Sequence, residues 1–220
     1  MIISRVMTRN PVFIHPEMSL SDARSLMDRE KIGHLPVLDR NNNLTGILAR
    51  KDLIKAGPSP ATTLDMYEIS YLLSKLNVEK IMERNVITVG EEEVVEEAAR
   101  IMVDRGIGCL PVIKPLAGGE GSLLVGIITD TDLFRVFLNA FGAWHPGIRI
   151  TLSMSEKPGQ LAKFAGAVAE RGGNIVAFVS GEGDDLSRRR ATLKISGISK
   201  ADVEAAAQTV EDAVVEDLRE

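Results

Sequence analysis

The chain has 220 residues, of which 45% are hydrophobic and 26% are charged, and its formal net charge at pH 7 is −5. This composition is typical of an ordinary soluble globular protein with room for more than one domain. The negative balance lacks the basic footprint of a nucleic-acid-binding protein and argues against that class.

The sequence also argues against several special classes of protein. Its one cysteine, Cys109, excludes an intrachain disulfide and any metal site built from several cysteines. The stretch Met1–Asn10 has no long apolar region, and the longest apolar run, Leu123–Ile128, has the length of a strand and is interrupted by Gly126. We therefore predict no signal peptide, no membrane span and a cytoplasmic location.

The first predicted unit has the order strand, helix, strand, strand, helix. Val12–Ile14 is predicted as a short strand, and Ser19 begins a helix whose apolar residues recur at helical spacing. A strand pair, Leu35–Leu38 and Gly46–Leu48, follows across a polar turn. Asp52 then lies where the second of these strands turns into the next helix.

The segment after the first unit contains a break and a further helix. Gly57-Pro58-Ser59-Pro60 is predicted to end the helix of the first unit. Thr62-Thr63 is predicted to cap a second helix that leads to the next unit.

The second unit is an internal repeat of the first, and a repeat fixes the architecture of the region. Aligning Met7–Val37 with Met82–Val112 at a constant shift of 75 gives 11 identities in 31 columns, and the strand Ile87–Val89 falls on Val12–Ile14. Five extra residues around Lys114–Gly119 then change the shift to 80. The residues of the final turn that align at this shift are Gly46 with Gly126 and Asp52 with Asp132.

The strand-to-helix turn of each unit carries groups that can bind a nucleoside. An aspartate there can accept two hydrogen bonds from a sugar diol, and a hydroxyl three residues earlier can meet a phosphate. The second unit has both groups, Thr129 and Asp132, whereas Ala49 replaces the hydroxyl residue in the first unit. The alternative role for Asp52 and Asp132 is to cap the helix that follows.

A different pattern begins after Asn139. From Ile148 to Met154 apolar residues alternate as in a half-buried strand, and a helix follows the turn at Pro158-Gly159. The order βαββαβ is completed by elements predicted at Asn174–Ser180, at Ala191–Ser196, from about Lys200 and at Val214–Leu218.

These motifs carry a resemblance to known families. Met7-Thr8-Arg9-Asn10-Pro11, an amphipathic helix, G-x-L-P-V and G-h-h-x-x-x-D-L occur in this order, and the order recurs in the second unit. This arrangement resembles a tandem pair of CBS domains, which implies two α/β units packed about a pseudo-twofold axis. Such pairs commonly bind adenine nucleotides or S-adenosylmethionine in the clefts between the repeats.

Two further resemblances narrow the prediction. The segment Ala61–Leu76 is similar to the linker of acetoin-utilisation proteins of the AcuB type, which suggests a role in acetoin or carbon metabolism. Pro158-Gly159-Gln160-Leu161 and Gly172–Ile175 resemble the turns of an ACT domain. Some ACT domains bind amino acids at the first turn, where Asp or Asn often stands two residues before the proline; this chain has Glu156 there.

The predicted fold class is therefore α/β and α+β: two βαββα CBS units and a ferredoxin-like βαββαβ ACT domain. The predicted boundaries are 1–55 for the first CBS repeat, 56–77 for a linker with a helix, 78–139 for the second repeat, 140–147 for a linker and 148–220 for the ACT-like domain.

The CBS resemblance implies which residues contact a ligand. The base would lie on the first strand and the G-x-L-P segment of each repeat: Ile87, Thr88, Val89, Ile107, Gly108, Leu110 and Pro111 in the second repeat, and Val12, Phe13, Ile32 and Pro36 in the first. Ribose and phosphate would be held by Thr129 and Asp132, a complete set, and in the first repeat by Asp52 with Arg50 in place of the hydroxyl. His34 lies where some CBS domains carry a basic phosphate contact, although it can equally be a half-buried structural histidine; Cys109, its counterpart, cannot serve as a basic contact.

The sequence contains no G-x-S-x-G, H-E-x-x-H or G-x-x-x-x-G-K motif, and Gly118–Ser122 lies between strands and not before a helix. We therefore predict a non-catalytic regulatory protein that requires no cofactor and senses AMP, ADP, ATP, NAD or S-adenosylmethionine. Its expected partners are a second copy in a homodimer, through the CBS or ACT domains, and an unidentified protein target. The alternatives are a dimeric scaffold without a small ligand and an amino-acid sensor that acts through the ACT domain.

Overall fold

The computed structural model describes residues 1–56, 65–116, 122–182 and 187–220. Within them the chain divides into two compact units, Met1–Leu133 and Phe134–Glu220. The five domain boundaries given above stay predictions. The predicted break at 57–60, the predicted cap at 62–63 and most of the glycine-rich turn lie outside the described residues.

The elements of the first repeat follow the predicted order. They are a 3-10 helix at Ile3–Arg5, β1 (Thr8–Arg9), α1 (Leu20–Glu30), β2 (His34–Leu38), β3 (Leu44–Ala49) and α2 (Arg50–Ala56). A connecting helix and the second repeat then supply α3 (Met66–Lys75), a 3-10 helix at Val78–Lys80, β4 (Val89–Gly90), α4 (Val95–Arg105), β5 (Cys109–Pro115), β6 (Ser122–Thr129) and α5 (Asp130–Ala140).

The helix α1 forms where its N-cap and apolar spacing predict it. The Ser19 side chain accepts a hydrogen bond of 3.1 Å from the Asp22 backbone N–H, which satisfies one donor of the first turn. Leu20, Ala23 and Met27 are buried, as are their counterparts Val95, Ala98 and Met102 in α4. Burial of the larger of these side chains stabilises the fold by about 1.5–3 kcal/mol each.

Each repeat completes the sheet of the other. The strand β1 of the first repeat pairs antiparallel with β6 of the second, with Thr8 opposite Ile127. At the equivalent place, Ile47 of β3 donates to the Glu83 carbonyl at 2.9 Å and accepts from the Glu83 N–H at 3.0 Å. The start of each repeat is therefore exchanged, and this pairing joins the two repeats into one unit.

The glycine that precedes each final turn is required by this exchange. A Cβ built on Gly46 would lie 2.6 Å from the Met82 sulfur, and one built on Gly126 would collide with the Met7 sulfur. In both places the methionine belongs to the other repeat. The Met and Gly residues that match between the repeats therefore form two equivalent contacts, each between the methionine of one repeat and the glycine of the other.

The sheets of the two repeats differ in the number of strands that are fully formed. The second repeat forms a four-stranded sheet in the order β1-β6-β5-β4, with β4 parallel to β5. In the first repeat β2 and β3 form a hairpin, and its outer neighbours are reduced to single bridges at Ile14 and Glu83.

The predicted strands Val12–Ile14 and Ile87–Val89 are therefore wrong in extent. Only Ile14 pairs in the first repeat, opposite Val37, and β4 begins only at Val89. The reason is that each segment meets its parallel neighbour only at its end, so the residues before it have no ladder to join.

The second unit has the predicted βαββαβ order and an antiparallel sheet in the order β10-β7-β9-β8. Its elements are β7 (Ile148–Ser155), α6 (Gln160–Glu170), β8 (Asn174–Glu182), β9 (Arg188–Ser196), α7 (Lys200–Ala207) and β10 (Val214–Arg219). The two helices pack on one face of the sheet around Phe164, Leu193 and Val203, each of which is at most 1% exposed. The predicted fold class is confirmed.

Candidate functional site

A cavity of about 160 Å³ lies in the compact unit Met1–Leu133, between the two CBS repeats. Its volume is about five times the ~30 Å³ that one water molecule occupies in the liquid. The first repeat lines it with four residues around the end of β3: His34, Ile47, Ala49 and Lys51. The second repeat lines it with the segment before β4, namely Glu83, Asn85, Val86 and Ile87, and with Ile107, Gly108, Cys109 and Pro111 at the start of β5.

The exchange of segments explains why these residues meet. Because Glu83 pairs with Ile47, the residues that follow it are placed beside the turn of the first repeat. The cavity therefore combines the apolar segments of the second repeat with the turn of the first. By contrast, the prediction above combined the base-contacting segments of the second repeat with the turn of that same repeat, Thr129 and Asp132.

The cavity has apolar walls and a few polar groups, the usual composition of a small-molecule site. Ile87, Ile107 and Pro111, all expected to contact a base, contribute apolar surface, and Gly108 exposes backbone. The polar side chains are those of His34, Lys51, Glu83 and Asn85. Such walls can pack against a flat heterocycle while polar groups fix its orientation.

His34 is half-buried, and its position in β2 is directly opposite Ala49 in β3. Burial holds the pKa of His34 below its ordinary value of 6.5, and the positive charge of Lys51 adds to this effect. The carboxylates of Asp130 and Asp52 act in the opposite direction. The imidazole is therefore mainly neutral at pH 7 and able to donate one hydrogen bond and accept another.

Gly108 allows two side chains to come close to the cavity wall. A Cβ at this position would lie 2.9 Å from the Asp130 carboxylate and 4.0 Å from Cε1 of His34. Any larger residue would therefore displace the Asp130 carboxylate.

Lys51 extends from the first turn of α2 and is exposed. Within the described ranges its ammonium takes part in no hydrogen bond or ion pair. Glu83, by contrast, accepts a hydrogen bond of 2.7 Å from the Asn85 backbone N–H. Lys51 is thus a cation of the cavity that has no partner among the described residues.

Thr129 and Asp132 contact each other and do not line this cavity. The Asp132 carboxylate, in a residue only 6% exposed, accepts from the Thr129 N–H at 3.0 Å and from the Thr129 hydroxyl at 2.8 Å. The Thr129 hydroxyl accepts in turn from the Asp132 N–H at 3.3 Å, which completes a capping box at the start of α5. In the first repeat Asp52 accepts from the Ala49 N–H at 2.9 Å. The capping role weighed above is the one these contacts display, and ligand contacts of both aspartates stay predictions.

Arg50 is engaged elsewhere. Its guanidinium donates to the Asp28 carboxylate at 2.5 Å and to the Ile32 carbonyl at 3.1 Å, and Arg50 does not line the cavity. The cation that the turn of the first repeat presents to the cavity is therefore Lys51, the residue after Arg50.

The remaining predicted site residues lie outside the cavity wall. Val12 and Phe13 are 39% and 43% exposed, and the Phe13 ring packs edge-on against His15. Thr88 is half-buried, and Ile32 packs against the core of the first repeat. The fully buried members of the set are Pro36, Val89 and Leu110.

Cys109 lines the cavity but is chemically inert. Burial raises the pKa of its thiol to about 12, and the nearby carboxylates of Asp130 and Asp132 contribute further. A thiol with this pKa is protonated at neutral pH, so it supplies neither a nucleophile nor a charge.

Seven cavity residues were not among the predicted site residues: Ile47, Ala49, Lys51, Glu83, Asn85, Val86 and Cys109. Ile47, Lys51, Glu83, Asn85 and Val86 had not been considered for the site at all. Four of them meet only through pairing between the repeats, for which the sequence has no local signal. Lys51 could have been predicted, because it is a cation within the turn that was expected to hold ribose and phosphate. Among the described residues there is no cluster of three His, Cys, Asp or Glu side chains suited to a metal ion, and no helix with the length and apolar character that crossing a membrane requires.

The CBS domain family matches residues 3–59 and 78–139, which together are more than half of the chain. The chain belongs to the CBS domain family. Residues 146–219 match the TTHA0829-like ACT domain, so the chain is a tandem CBS pair followed by an ACT domain. Proteins built from CBS and ACT domains are typically regulatory.

Two solved structures are similar to the CBS pair. The CBS domain pair of protein MJ0100, solved in complex with 5′-methylthioadenosine and S-adenosyl-L-methionine, is 28% identical with a TM-score of 0.51, over 66% of this chain and 98% of that one. An acetoin utilization protein, AcuB, from Vibrio cholerae is 31% identical with a TM-score of 0.51, again over 66% of this chain and 98% of that one.

Two curated relatives match this chain over only part of their own length. Transcriptional repressor CcpN of Bacillus subtilis is 32% identical over 131 residues, which are 59% of this chain and 56% of CcpN. L-aspartate semialdehyde sulfurtransferase of Methanocaldococcus jannaschii is 29% identical over 136 residues, which are 62% of this chain and 23% of the enzyme. The chain thus spans 56% and 23% of the length of these two relatives.

Proposed function

We propose that this CBS–ACT chain is a non-catalytic regulatory protein that binds an adenine nucleotide or S-adenosylmethionine between its CBS repeats. The observation that supports this is the cavity, whose apolar walls come from the second repeat and whose basic side chains, His34 and Lys51, come from the first. The adenosyl ligands of the similar MJ0100 pair support the same ligand class. The candidates are AMP, ADP, ATP, NAD and S-adenosylmethionine.

Because the cavity draws on both repeats, a ligand there contacts both at once. Such a ligand favours the arrangement in which both sets of contacts are made, and it regulates only if it binds two arrangements unequally. In this proposal the ACT domain relays or integrates the change in a homodimer that acts on a protein target. The similarity to AcuB supports a role in acetoin utilisation. The location that we propose is the cytoplasm.

A thermal-shift panel with the five adenosyl ligands tests the proposal. A ligand at ~100 times its Kd adds about 2.7 kcal/mol to the free energy of unfolding, which is easily measured. Ile87→Ala removes three carbon atoms of the apolar wall and is expected to weaken binding by roughly tenfold or more, since each buried methylene is worth about 0.8 kcal/mol. The matched control is Val103→Ala, a change at a side chain that is 80% exposed on α4.

The repeat offers a sharper comparison. Val12 is the counterpart of Ile87 in the first repeat and lies outside this cavity. Binding that is weakened by Val12→Ala and retained in Ile87→Ala would move the ligand to the counterpart cleft and overturn the assignment to this cavity. If none of the five ligands raises the unfolding temperature, the result counts against nucleotide sensing and favours the scaffold alternative.

A second candidate function, amino-acid sensing by the ACT domain, is supported by one observation. Gln160, only 4% exposed, begins α6 beside a cavity of about 130 Å³. In the part of the chain that the structure describes, its Oε1 atom has no hydrogen-bond partner, which costs about 1–3 kcal/mol unless a donor arrives. An ammonium group could be that donor. Glu156 is tied to Arg189, whose hydrogen bond lowers the pKa of Glu156.

The same panel discriminates this candidate when the common amino acids are included. Stabilisation by an amino acid without stabilisation by any adenosyl ligand would place the sensing in the ACT domain.

A further inference from the structure

The turns of the two CBS repeats carry opposite charges. The first reads Ala49-Arg50-Lys51-Asp52 and the second reads Thr129-Asp130-Thr131-Asp132. The aspartate at the end of each turn accepts a backbone N–H from the residue three positions earlier, so it serves the fold in both. The middle two residues differ in charge, with two cations in the first turn and one carboxylate in the second.

Only one of the two cations of the first turn is available to a ligand. Arg50 is neutralised by Asp28 and also bonded to the Ile32 carbonyl. Lys51 lines the cavity and, among residues 1–56, 65–116, 122–182 and 187–220, forms no ion pair or hydrogen bond. An ammonium at the wall of a partly apolar cavity attracts an anionic group more strongly than the same ammonium in open water.

His34 lines the same cavity and lies within the electrostatic reach of Lys51. Within the described chain its ring forms no hydrogen bond. A neutral imidazole beside an ammonium offers a donor to an oxyanion at little electrostatic cost. The two side chains thus form one basic corner, and the apolar residues Ile87, Ile107 and Pro111 form the other walls.

We propose that the ligand of this cavity is an adenosine that carries phosphate, and that Lys51 is the cation that binds the phosphate. This inference rests on the proposed function and narrows its ligand class. S-adenosylmethionine has a net positive charge, because its sulfonium and ammonium outweigh its one carboxylate, so the charge of Lys51 opposes the molecule as a whole. Adenosine itself has no charge and gains nothing from Lys51. The order of affinity expected is AMP above adenosine, and adenosine above S-adenosylmethionine.

Calorimetric titration of the full chain with adenosine, AMP and S-adenosylmethionine tests the proposal. The wild-type chain is expected to bind AMP on the order of tenfold more tightly than adenosine, the usual gain from a hydrogen bond to a charged group. In Lys51→Met, which keeps an aliphatic stem but removes the charge, this ratio is expected to fall close to one. The matched control is Lys55→Met, because Lys55 is exposed one turn further along α2 and does not line the cavity.

Salt gives an independent readout. Raising the ionic strength is expected to reduce the AMP-to-adenosine ratio of the wild-type chain, while the ratio of Lys51→Met stays flat. A ratio that is the same in Lys51→Met and Lys55→Met overturns the role of Lys51. Equal affinity for AMP and adenosine, or tighter binding of S-adenosylmethionine, overturns the phosphate preference while leaving adenosyl binding intact. Absence of binding by all three compounds, and by ADP, ATP and NAD in the same titration, overturns the proposed function itself.

Discussion

The two CBS repeats show which parts of a repeated sequence serve the fold and which serve a ligand. Features present in both copies make equivalent structural contacts. Gly46 faces Met82 and Gly126 faces Met7, and Asp52 and Asp132 each accept a hydrogen bond from a backbone N–H at the start of a helix. These matched glycines and aspartates therefore have packing and capping roles in both copies.

Three of the differences between the copies are found at the cavity. Lys51 aligns with Thr131, Ala49 with Thr129, and His34 with Cys109. All three first-repeat residues line the described cavity, together with segments of the second repeat. The matched glycines and aspartates thus serve the fold, whereas these three substitutions point to ligand specificity.

The largest expected effect concerns the exchanged segments. Gly46→Ala should cost about 1–3 kcal/mol of stability, because the new methyl group meets Met82 and the Glu83 carbonyl and a packed site accepts no extra methylene without strain. Gly126→Ala should cost a similar amount, since its neighbours are equivalent. Urea unfolding of each variant measures the change.

A glycine of the same repeat provides the control for this prediction. A Cβ added at Gly33 has no atom within 4 Å, so Gly33→Ala should change stability by less than about 1 kcal/mol. If Gly46→Ala and Gly33→Ala unfold at the same urea concentration, the exchange of segments between the repeats is not as described.

A smaller effect should separate the two aspartates. Asp132 is buried and accepts two hydrogen bonds from Thr129, whereas half-buried Asp52 accepts one from Ala49. Asp132→Ala should therefore destabilise the chain by about 1–2 kcal/mol and Asp52→Ala by about 0.5–1 kcal/mol, the usual range for lost helix caps. Thermal unfolding of both variants without ligand measures the difference, and equal losses would mean that the complete capping box of the second repeat adds nothing.

Most of the fold could be predicted because its signals are local. The ACT elements follow from alternation in Ile148–Met154 and from the turn at Pro158-Gly159, and the repeat itself gave the order of the CBS elements. The extents of the first strands could not be predicted, because pairing at Ile14 and Val89 depends on where β2 and β5 lie in space.

The site was predictable only in part, for the same physical reason. Ile87, Ile107, Gly108, Pro111 and His34 line the cavity as expected from the CBS resemblance, although their contacts with a ligand stay predictions. Four of these residues belong to the second repeat, whereas the turn beside them belongs to the first, and a sequence read along one copy does not reveal this exchange between copies.

The smallest expected effect is a pH dependence that comes from His34. Burial, with help from Lys51, keeps the pKa of His34 below 6.5 in the folded chain, against the opposing charges of Asp130 and Asp52. Well above pH 6.5 the imidazole is neutral in both states and contributes no pH dependence. As the pH falls through 6.5 the unfolded chain binds the proton first, so the free energy of unfolding falls, and the loss ends once the pH is below the folded pKa.

The corresponding position of the second repeat, Cys109, has a thiol pKa of about 12 and contributes nothing in this range. Urea unfolding of the wild-type chain and of His34→Gln between pH 7.5 and pH 5, without ligand, isolates the contribution, because His15 and His145 are present in both proteins. The wild-type chain should lose more stability on acidification than the variant. Parallel curves would mean that His34 binds protons equally in both states, and would leave Lys51 as the only group of the basic corner whose charge can be assigned.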